Sequence, residues 1–355
     1  MHKVKYVHFL WRNETKFNIN IVKLVNEELD PERKNHLFVT PHQSVYDSLT
    51  KYDNIVLDQT KRNLFNKYAP FCDWIFSHST MNLWSVLGMS GRSAKKVILR
   101  TWGGSFGCQY REGQFIRNLL KKFINHCYSK KINSFAAIGI AKRTDIISMQ
   151  GKVKNNRFYT IPYTSLDREN ILIQEKQRVI EKDSVLNVAL YHRGTKEGNH
   201  IEILKKLEHL GNKIRIYVPL SYGDKEYIEK VKSYIKDNCS QNVIVVDEFM
   251  EYEEYVAFTN RMDIAVFDCK TSTALGNIAV YLFLEKKIIL NRNGVIKKAF
   301  DEEDIPHGYV DELETISYED FAKMPDYPEG VHYSMMPLGR EKSLSAWQEV
   351  LSDFN

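Results

Sequence analysis

Three segments of this chain carry the residue types that bind anions and polyols. In Tyr191-His192-Arg193-Gly194-Thr195-Lys196-Glu197-Gly198-Asn199-His200, two cations stand beside two glycines and an asparagine able to cap a following helix. Backbone N–H groups at such a turn, with Arg193, Lys196 and a helix N-terminus, suit a diphosphate. The pattern is neither Gly-x-x-x-x-Gly-Lys-Ser/Thr nor Gly-x-Gly-x-x-Gly, so ATP hydrolysis and a standard NAD site are not supported. An ordinary solvated loop accounts for the same residues about as well.

A second candidate is Asp268 to Asn277, where Thr271, Ser272, Thr273, Gly276 and Asn277 cluster at an expected helix start. The helix dipole favours an anion there, and Gly276 lets it come close; a plain N-cap by the hydroxyls is the competing reading. Tyr222, Glu251 and Glu254 follow two further strands. They suit stacking on a base and accepting from its N–H or from ribose hydroxyls, although carboxylates so placed often only cap helices. In the first half, Trp102, Gly103, Gly104 and Ser105 form a glycine-rich rim directly after a strand, able to lie close over a substrate. His78 and Asp145 are the candidates for general acid/base work. No Asp-x-Asp follows a strand, so neither a metal-bound diphosphate nor any cofactor is expected, and Arg193, Lys196 and helix termini would neutralise the diphosphate.

Elements that position these segments follow from the hydrophobic pattern. Short β-branched runs at 185–191, 213–219, 242–249, 263–268 and 287–291 alternate with helical periodicity at 199–210, 224–238, 251–261 and 272–284. That alternation predicts a parallel, Rossmann-like sheet. The first half repeats it with strands at 6–10, 36–40, 54–57, 74–77, 97–100 and 135–138. The expected fold class is therefore α/β, two Rossmann-like domains facing each other across a cleft. This is the layout of GT-B nucleotide-sugar glycosyltransferases and also of some epimerases and dehydrogenases, and GT-B is the one expected here. We expect an N-terminal acceptor- and membrane-facing domain over 1–165 and a nucleotide-sugar domain over 166–340, linked near 162–184. The stretch 341–355 reads as a helix packing back toward the first domain, with Leu344, Trp347, Val350 and Leu351 on one face. Ligands of such sheets bind beyond the C-terminal strand ends.

Composition narrows the function classes. The 355 residues carry a net charge of +5, but residues 1–170 hold 27 Lys+Arg against 13 Asp+Glu, and residues 171–355 hold 23 against 32. A basic half joined to an acidic one points to an anionic partner for the first. Its basic residues concentrate in 111–131, where Arg117, Lys121 and Lys122 share a helix with Phe115, Ile116, Leu119, Leu120 and Phe123, as in a helix lying on an anionic membrane surface; a core-facing amphipathic helix is compatible with the same pattern. That apolar face, and the absence of a recognised nucleic-acid module, argue against a nucleic-acid partner. No apolar run approaches a membrane span, and the strand-like start is not a signal peptide. Five dispersed cysteines (Cys72, Cys108, Cys127, Cys239, Cys269) suggest neither disulfides nor zinc, and a reducing cytoplasm is the expectation.

The chain also resembles a known family, the bacterial TDP-4-acetamido-4,6-dideoxygalactose:lipid II transferases of enterobacterial common antigen assembly. The resemblance is carried in collinear order by Phe76-Ser77-His78 with Asn82-Leu83-Trp84, Trp102-Gly103, Arg143-Thr144-Asp145 and Asn199-His200, then by Val218-Pro219-Leu220-Ser221-Tyr222-Gly223 with Tyr227-Ile228, by 255–263, and by Leu275-Gly276-Asn277 and Leu290-Asn291-Arg292. It implies a GT-B glycosyltransferase, peripheral on the cytoplasmic face of the membrane. Its donor would be a nucleotide sugar, TDP favoured, and its acceptor an undecaprenyl-diphosphate-linked oligosaccharide. In the family Trp-Gly-Ala-Asp follows the N-terminal strand, whereas Trp102-Gly103 here runs into Gly104-Ser105, which removes a carboxylate and leaves sugar and acceptor open. The alternative is a non-catalytic protein that binds a nucleotide sugar.

Overall fold

A computed structural model of the chain describes residues 3–11, 13, 15–60, 63–79, 83–100, 115–140, 157–161, 168–180, 185–191, 193–240, 242–271, 273–332 and 340–355, without the side chains of 15–17, 83–84, 115–121 and 140. The chain divides into two compact units, one of Met1–Leu166 with Pro337–Asn355, the other of Asp167–Met336.

The first unit is built on seven parallel strands: β1 (Val4–Leu10), β2 (His36–Thr40), β3 (Ile55–Leu57), β4 (Cys72–His78), β5 (Val97–Arg100), β6 (Ala137–Ile140) and β7 (Arg157–Thr160), in the order β3-β2-β1-β4-β5-β6-β7. Period-two alternation buries both faces. Val7 and Phe9 enter one core with Ile75, Leu99 and Ile138; Tyr6 and Leu10 enter the other with Phe38, Phe76 and Ile98. This second face is closed by the helix Arg340–Asp353, whose Trp347 is fully buried. Edge strand β7 was not expected from the sequence: its side chains are mostly exposed, so it carries no apolar run to read.

The second unit has six parallel strands: β8 (Leu186–Leu190), β9 (Ile214–Pro219), β10 (Val243–Val246), β11 (Ile264–Phe267), β12 (Lys287–Leu290) and β13 (Gly308–Tyr309), ordered β10-β9-β8-β11-β12-β13. The order reverses between the neighbours β8 and β11, and in the first unit between β1 and β4. Loops leaving such neighbours part to opposite faces, which opens a crevice at the strand ends. In the stretch read as a linker, residues 168–176 instead form a helix, Arg168–Lys176, packed on the helices Tyr252–Asn260 and Leu275–Phe283 of the second unit. Leu172 supplies its buried contact, and the surrounding charges that suggested a linker are its solvated face.

Candidate functional site

In the second unit both anion-friendly segments sit at the strand-order reversal, one after β8 and the other after β11. Two hydrogen bonds tie them together: Tyr191 donates its hydroxyl to Thr273 Oγ1 at 3.1 Å, and the Asn199 amide donates to Asp268 Oδ2 at 2.7 Å. Asp268 Oδ1 takes a second amide, from Asn291 after β12, at 2.5 Å. One carboxylate thus clamps the loops after three strands. Charge-assisted bonds of this kind are roughly twice as strong as neutral ones.

Several expected roles change once the geometry is known. Asn199 does not cap the helix His200–Leu207; it takes a left-handed conformation (φ 48°, ψ 34°) and spends its side chain on Asp268. Gly194 does not offer its N–H to a ligand, because that group donates to the Tyr222 carbonyl at 2.9 Å while the Gly194 carbonyl accepts from Asp224 N–H at 2.8 Å. Its glycine character serves loop packing instead. A side chain there would run into Ile228, and one at Gly223 (φ 142°) would run into the Gly194 backbone. Glu251 and Glu254 form a reciprocal capping box at the start of Tyr252–Asn260, each accepting from the other's backbone N–H. This use of their oxygens leaves Glu251 and Glu254 a structural role where contact with a nucleoside had been expected.

The second anion segment also starts its helix late. Ala274 adopts φ +64°, which an α-helix cannot include, so the helix runs over Leu275–Phe283 rather than from 272. Thr271 is exposed, its carbonyl accepting from Thr273 N–H, and Ser272 lies outside the described residues. Gly276, in the first turn, is exposed, and a Cβ there would meet nothing within 4 Å. Asn277 is half-buried beside it. Space beside Gly276 is therefore open, while the Asn277 N–H is already taken by the Ala274 carbonyl at 2.9 Å, so anion binding at this helix start would fall to the N–H groups ahead of it.

Cations stand nearby in sequence and in the fold. Arg193 pairs with Glu197 at 2.9 Å and lies 5.9 Å from the Tyr191 ring centroid, while its buried Nε has no hydrogen-bond partner. Lys196 is exposed, with no ion pair among the described residues. Tyr222 keeps 47% of its surface exposed at the end of β9. Tyr252, which the sequence reading passed over in favour of its acidic neighbours, packs under the Arg168 guanidinium at 4.4 Å; burial pushes its hydroxyl up to about 12, and that hydroxyl has no hydrogen-bond partner. Asp268, Asn291 and Tyr191 were missed as well. All three carried the same signal, a place directly after a strand: Tyr191 after β8, Asp268 after β11 and Asn291 after β12.

In the first unit, His78 ends β4 but is 2% exposed, inside the sheet face rather than on its rim. Burial first, and then the Arg100 guanidinium, hold its imidazole well below the usual histidine range. Its Nε2 is 2.9 Å from His8 Nδ1, and His8 Nε2 is 2.8 Å from His36 Nδ1, forming a row across three strands. Asp145, Trp102, Gly103, Gly104 and Ser105 lie outside the described residues. The basic helix spans Phe115–Ile132. Tyr128 and Ile132 anchor it in the core, whereas Lys122 is exposed and Phe123 is 67% exposed; the side chains of Arg117 and Lys121 are not described. Among the described residues no His, Cys, Asp and Glu group could hold a metal ion, and no helix is long and apolar enough to cross a membrane.

Residues 4–323 match the family model described as 4-alpha-L-fucosyltransferase glycosyl transferase group 56. The chain belongs to this glycosyltransferase family. The group 56 chain also shares its fold with solved structures at low identity. A glycosyltransferase from Rickettsia africae ESF-5 is 13% identical, covering 100% of this chain and 99% of that one, with a TM-score of 0.64. Anabaena HepE in complex with UDP is 10% identical, covering 99% and 100%, with a TM-score of 0.64. The E. coli trehalose-6-phosphate synthase OtsA is 10% identical, covering 99% and 98%, with a TM-score of 0.56. The group 56 protein thus has the GT-B fold, with two parallel-sheet Rossmann-like domains, and its family transfers sugars. At this identity the neighbours speak for the fold alone, and the identity of sugar and acceptor rests on the site.

Proposed function

We propose that the protein moves a deoxyamino sugar from a nucleotide diphosphate donor, TDP favoured, to a hydroxyl of an undecaprenyl-diphosphate-linked oligosaccharide in surface polysaccharide assembly. One observation carries the reading. At the β8/β11 reversal of the second unit, an open helix start at Gly276 stands on a rim clamped through Asp268, with Arg193 and Lys196 in the adjoining loop. Such a site suits a diphosphate without a metal ion. HepE bound to UDP, with the same fold, supports a nucleotide donor.

Roles are assigned as follows. Lys196, Arg193 and the first turn at Gly276 hold the diphosphate and stabilise it as it leaves. Tyr222 offers its exposed ring to the base. His78 or Asp145 takes the proton of the acceptor hydroxyl, and the rim at Trp102 to Ser105 lies over the acceptor. Lys122 and Phe123 place the basic helix on an anionic membrane surface at the cytoplasmic face, where the lipid-linked acceptor is found.

The test uses purified full-length protein, thermal-shift binding of TDP-, UDP- and GDP-sugars, and transfer to undecaprenyl-diphosphate oligosaccharides. Stabilisation by one nucleotide class is expected, with transfer at low donor concentration and low salt weakened by Lys196→Ala. Binding of no nucleotide sugar sinks the reading. Tight binding with no turnover on any lipid-linked acceptor replaces it with a non-catalytic sensor.

A further inference from the structure

Charge is least balanced in one stretch of the first unit. Residues 74–144 carry 12 Lys+Arg and a single acidic residue, Glu112. Solvated surfaces ordinarily intersperse both signs, so an excess of this size builds a positive field. Not all of these cations reach the surface. Lys96 spends its ammonium on the Ala69 and Cys72 carbonyls at 2.7 and 2.6 Å, and Arg100 is 2% exposed. Arg92, Lys95, Lys122 and Lys130 are exposed, with no ion pair among the described residues.

These four sit on two adjoining helices and the turn that follows one of them. Helix Leu83–Leu87 packs on helix Phe115–Ile132, and Val86, Met89 and Ala94 enter the same core as Tyr128 and Ile132. Both helices therefore cover one face of the sheet and turn their exposed residues outward from it. On the longer helix the exposed positions among those described are Lys122, Phe123, His126 and Lys130, one stripe at helical spacing. On the shorter one Leu87 is 38% exposed, against 67% for Phe123. The chain past Leu87 is pinned: Asn66 donates to the Gly88 carbonyl at 3.0 Å and accepts from Ser90 N–H at 2.9 Å and from the Ser93 hydroxyl at 2.8 Å. Ser90 then caps the helix Gly91–Ala94, which carries Arg92 and is followed by Lys95. One exposed apolar side chain is ordinary. Two of them, on packed helices whose exposed charges are all positive, make the pattern of a surface that enters an anionic interface.

We propose that this face docks on an anionic lipid bilayer through both helices, with Leu87 and Phe123 entering the boundary between headgroups and acyl chains and Arg92, Lys95, Lys122 and Lys130 meeting lipid phosphates. The inference rests on the membrane placement in the proposed function and extends it from one helix to a two-helix footprint with a stated lipid chemistry. Nucleic acid presents phosphates as well, and a base can stack on Phe123. Leu87 has no π face to offer a base, whereas a hydrocarbon boundary accepts both side chains. Charge and apolar contact divide the work. The cations bring the face to the membrane, and burial of Leu87 and Phe123 holds it there when salt screens the charge.

The experiment is co-sedimentation of full-length protein with vesicles of phosphatidylcholine alone and of equal parts phosphatidylcholine and phosphatidylglycerol, run beside the thermal-shift assay with nucleotide sugars. Binding to the phosphatidylglycerol vesicles is expected to exceed binding to phosphatidylcholine by about a hundredfold or more, each cation near the surface being worth about fivefold. Arg92→Gln combined with Lys95→Gln is expected to weaken the vesicle partition by about tenfold or more. Leu87→Ser is expected to weaken it by about threefold or more, at high salt as well as low. Neither variant touches the donor site, so stabilisation by a nucleotide sugar stays as in the wild type. Equal binding to the two vesicle types, or an unchanged partition in either folded variant, overturns the proposal. So does RNA that displaces the vesicles and binds Leu87→Ser as well as it binds the wild type, which assigns the face to nucleic acid. Should Leu87→Ser fail to fold, Phe123→Ser and the doubly substituted variant decide. A protein that binds vesicles but no nucleotide sugar keeps this face and loses the proposed function, and one that binds a nucleotide sugar but neither vesicle type loses this face and keeps the donor site.

Discussion

Asn199 donates its side-chain amide to Asp268 at 2.7 Å across 69 positions of chain. With Asn291 on the other oxygen, the carboxylate is satisfied from two sides, and the loops after β8, β11 and β12 share one arrangement. Removing Asp268 strands two partly buried amides and frees the rim. Asp268→Ala is expected to lower stability by about 2–3 kcal/mol, seen as a lower urea midpoint, and to weaken nucleotide-sugar binding beyond that loss. Unchanged binding in a folded Asp268→Ala protein means the clamp does not shape the site.

Gly276 separates folding from ligand approach. Nothing stands within 4 Å of where its Cβ would be, so Gly276→Leu is expected to leave the melting temperature within about 2 °C of wild type, in keeping with the small cost of surface substitutions. In a ligand site the same side chain fills the space over the first turn. Donor affinity should fall by about tenfold or more, read by calorimetric titration; retained affinity moves the diphosphate elsewhere.

Two charged positions should respond in opposite ways. Glu251→Ala breaks the capping box and is expected to cost about 1 kcal/mol in chemical denaturation, with donor affinity unchanged. Lys196→Ala removes an exposed cation and is expected to leave stability untouched while raising the donor dissociation constant by roughly fivefold to tenfold at low salt, an effect that shrinks as salt is added. A Glu251→Ala protein of normal stability and poor affinity reverses the assignment.

Stability should depend steeply on acid. Burial before any other cause lowers His8 and His78 well below the ordinary value of 6.5 and takes His36 and His200 to about 4. Below pH 6.5 the unfolded chain binds protons that the folded chain refuses. The stabilisation is therefore present above pH 6.5 and is lost as pH falls from there toward 4. Each histidine that titrates fully contributes about 1.4 kcal/mol per pH unit in that window. Denaturant midpoints measured from pH 8 to pH 5 should fall with a slope above that of one proton, and a flat profile contradicts the buried row.

Local patterning determined much of this architecture. Runs of β-branched residues at a period of two, interrupted by helical periodicity, suffice to read eleven of the parallel strands or their close neighbourhoods, while exposed β7 and the two-residue β13 escaped. Tyr191 to His200 and Asp268 to Asn277 were legible as loops after strands because glycine, hydroxyl and cationic residues leave a local signature. Tertiary structure alone decided what those residues do. Strand order sets β8 beside β11, and only then can Asn199, Asp268 and Asn291 meet, or Glu251 be seen to spend its oxygens on a helix start. The same holds for His78, which the sequence offered as a lone residue at a strand end. Three histidines spaced by 28 and 70 positions carry no periodic signal, and it is the parallel register of β2, β1 and β4 that sets their rings in a row.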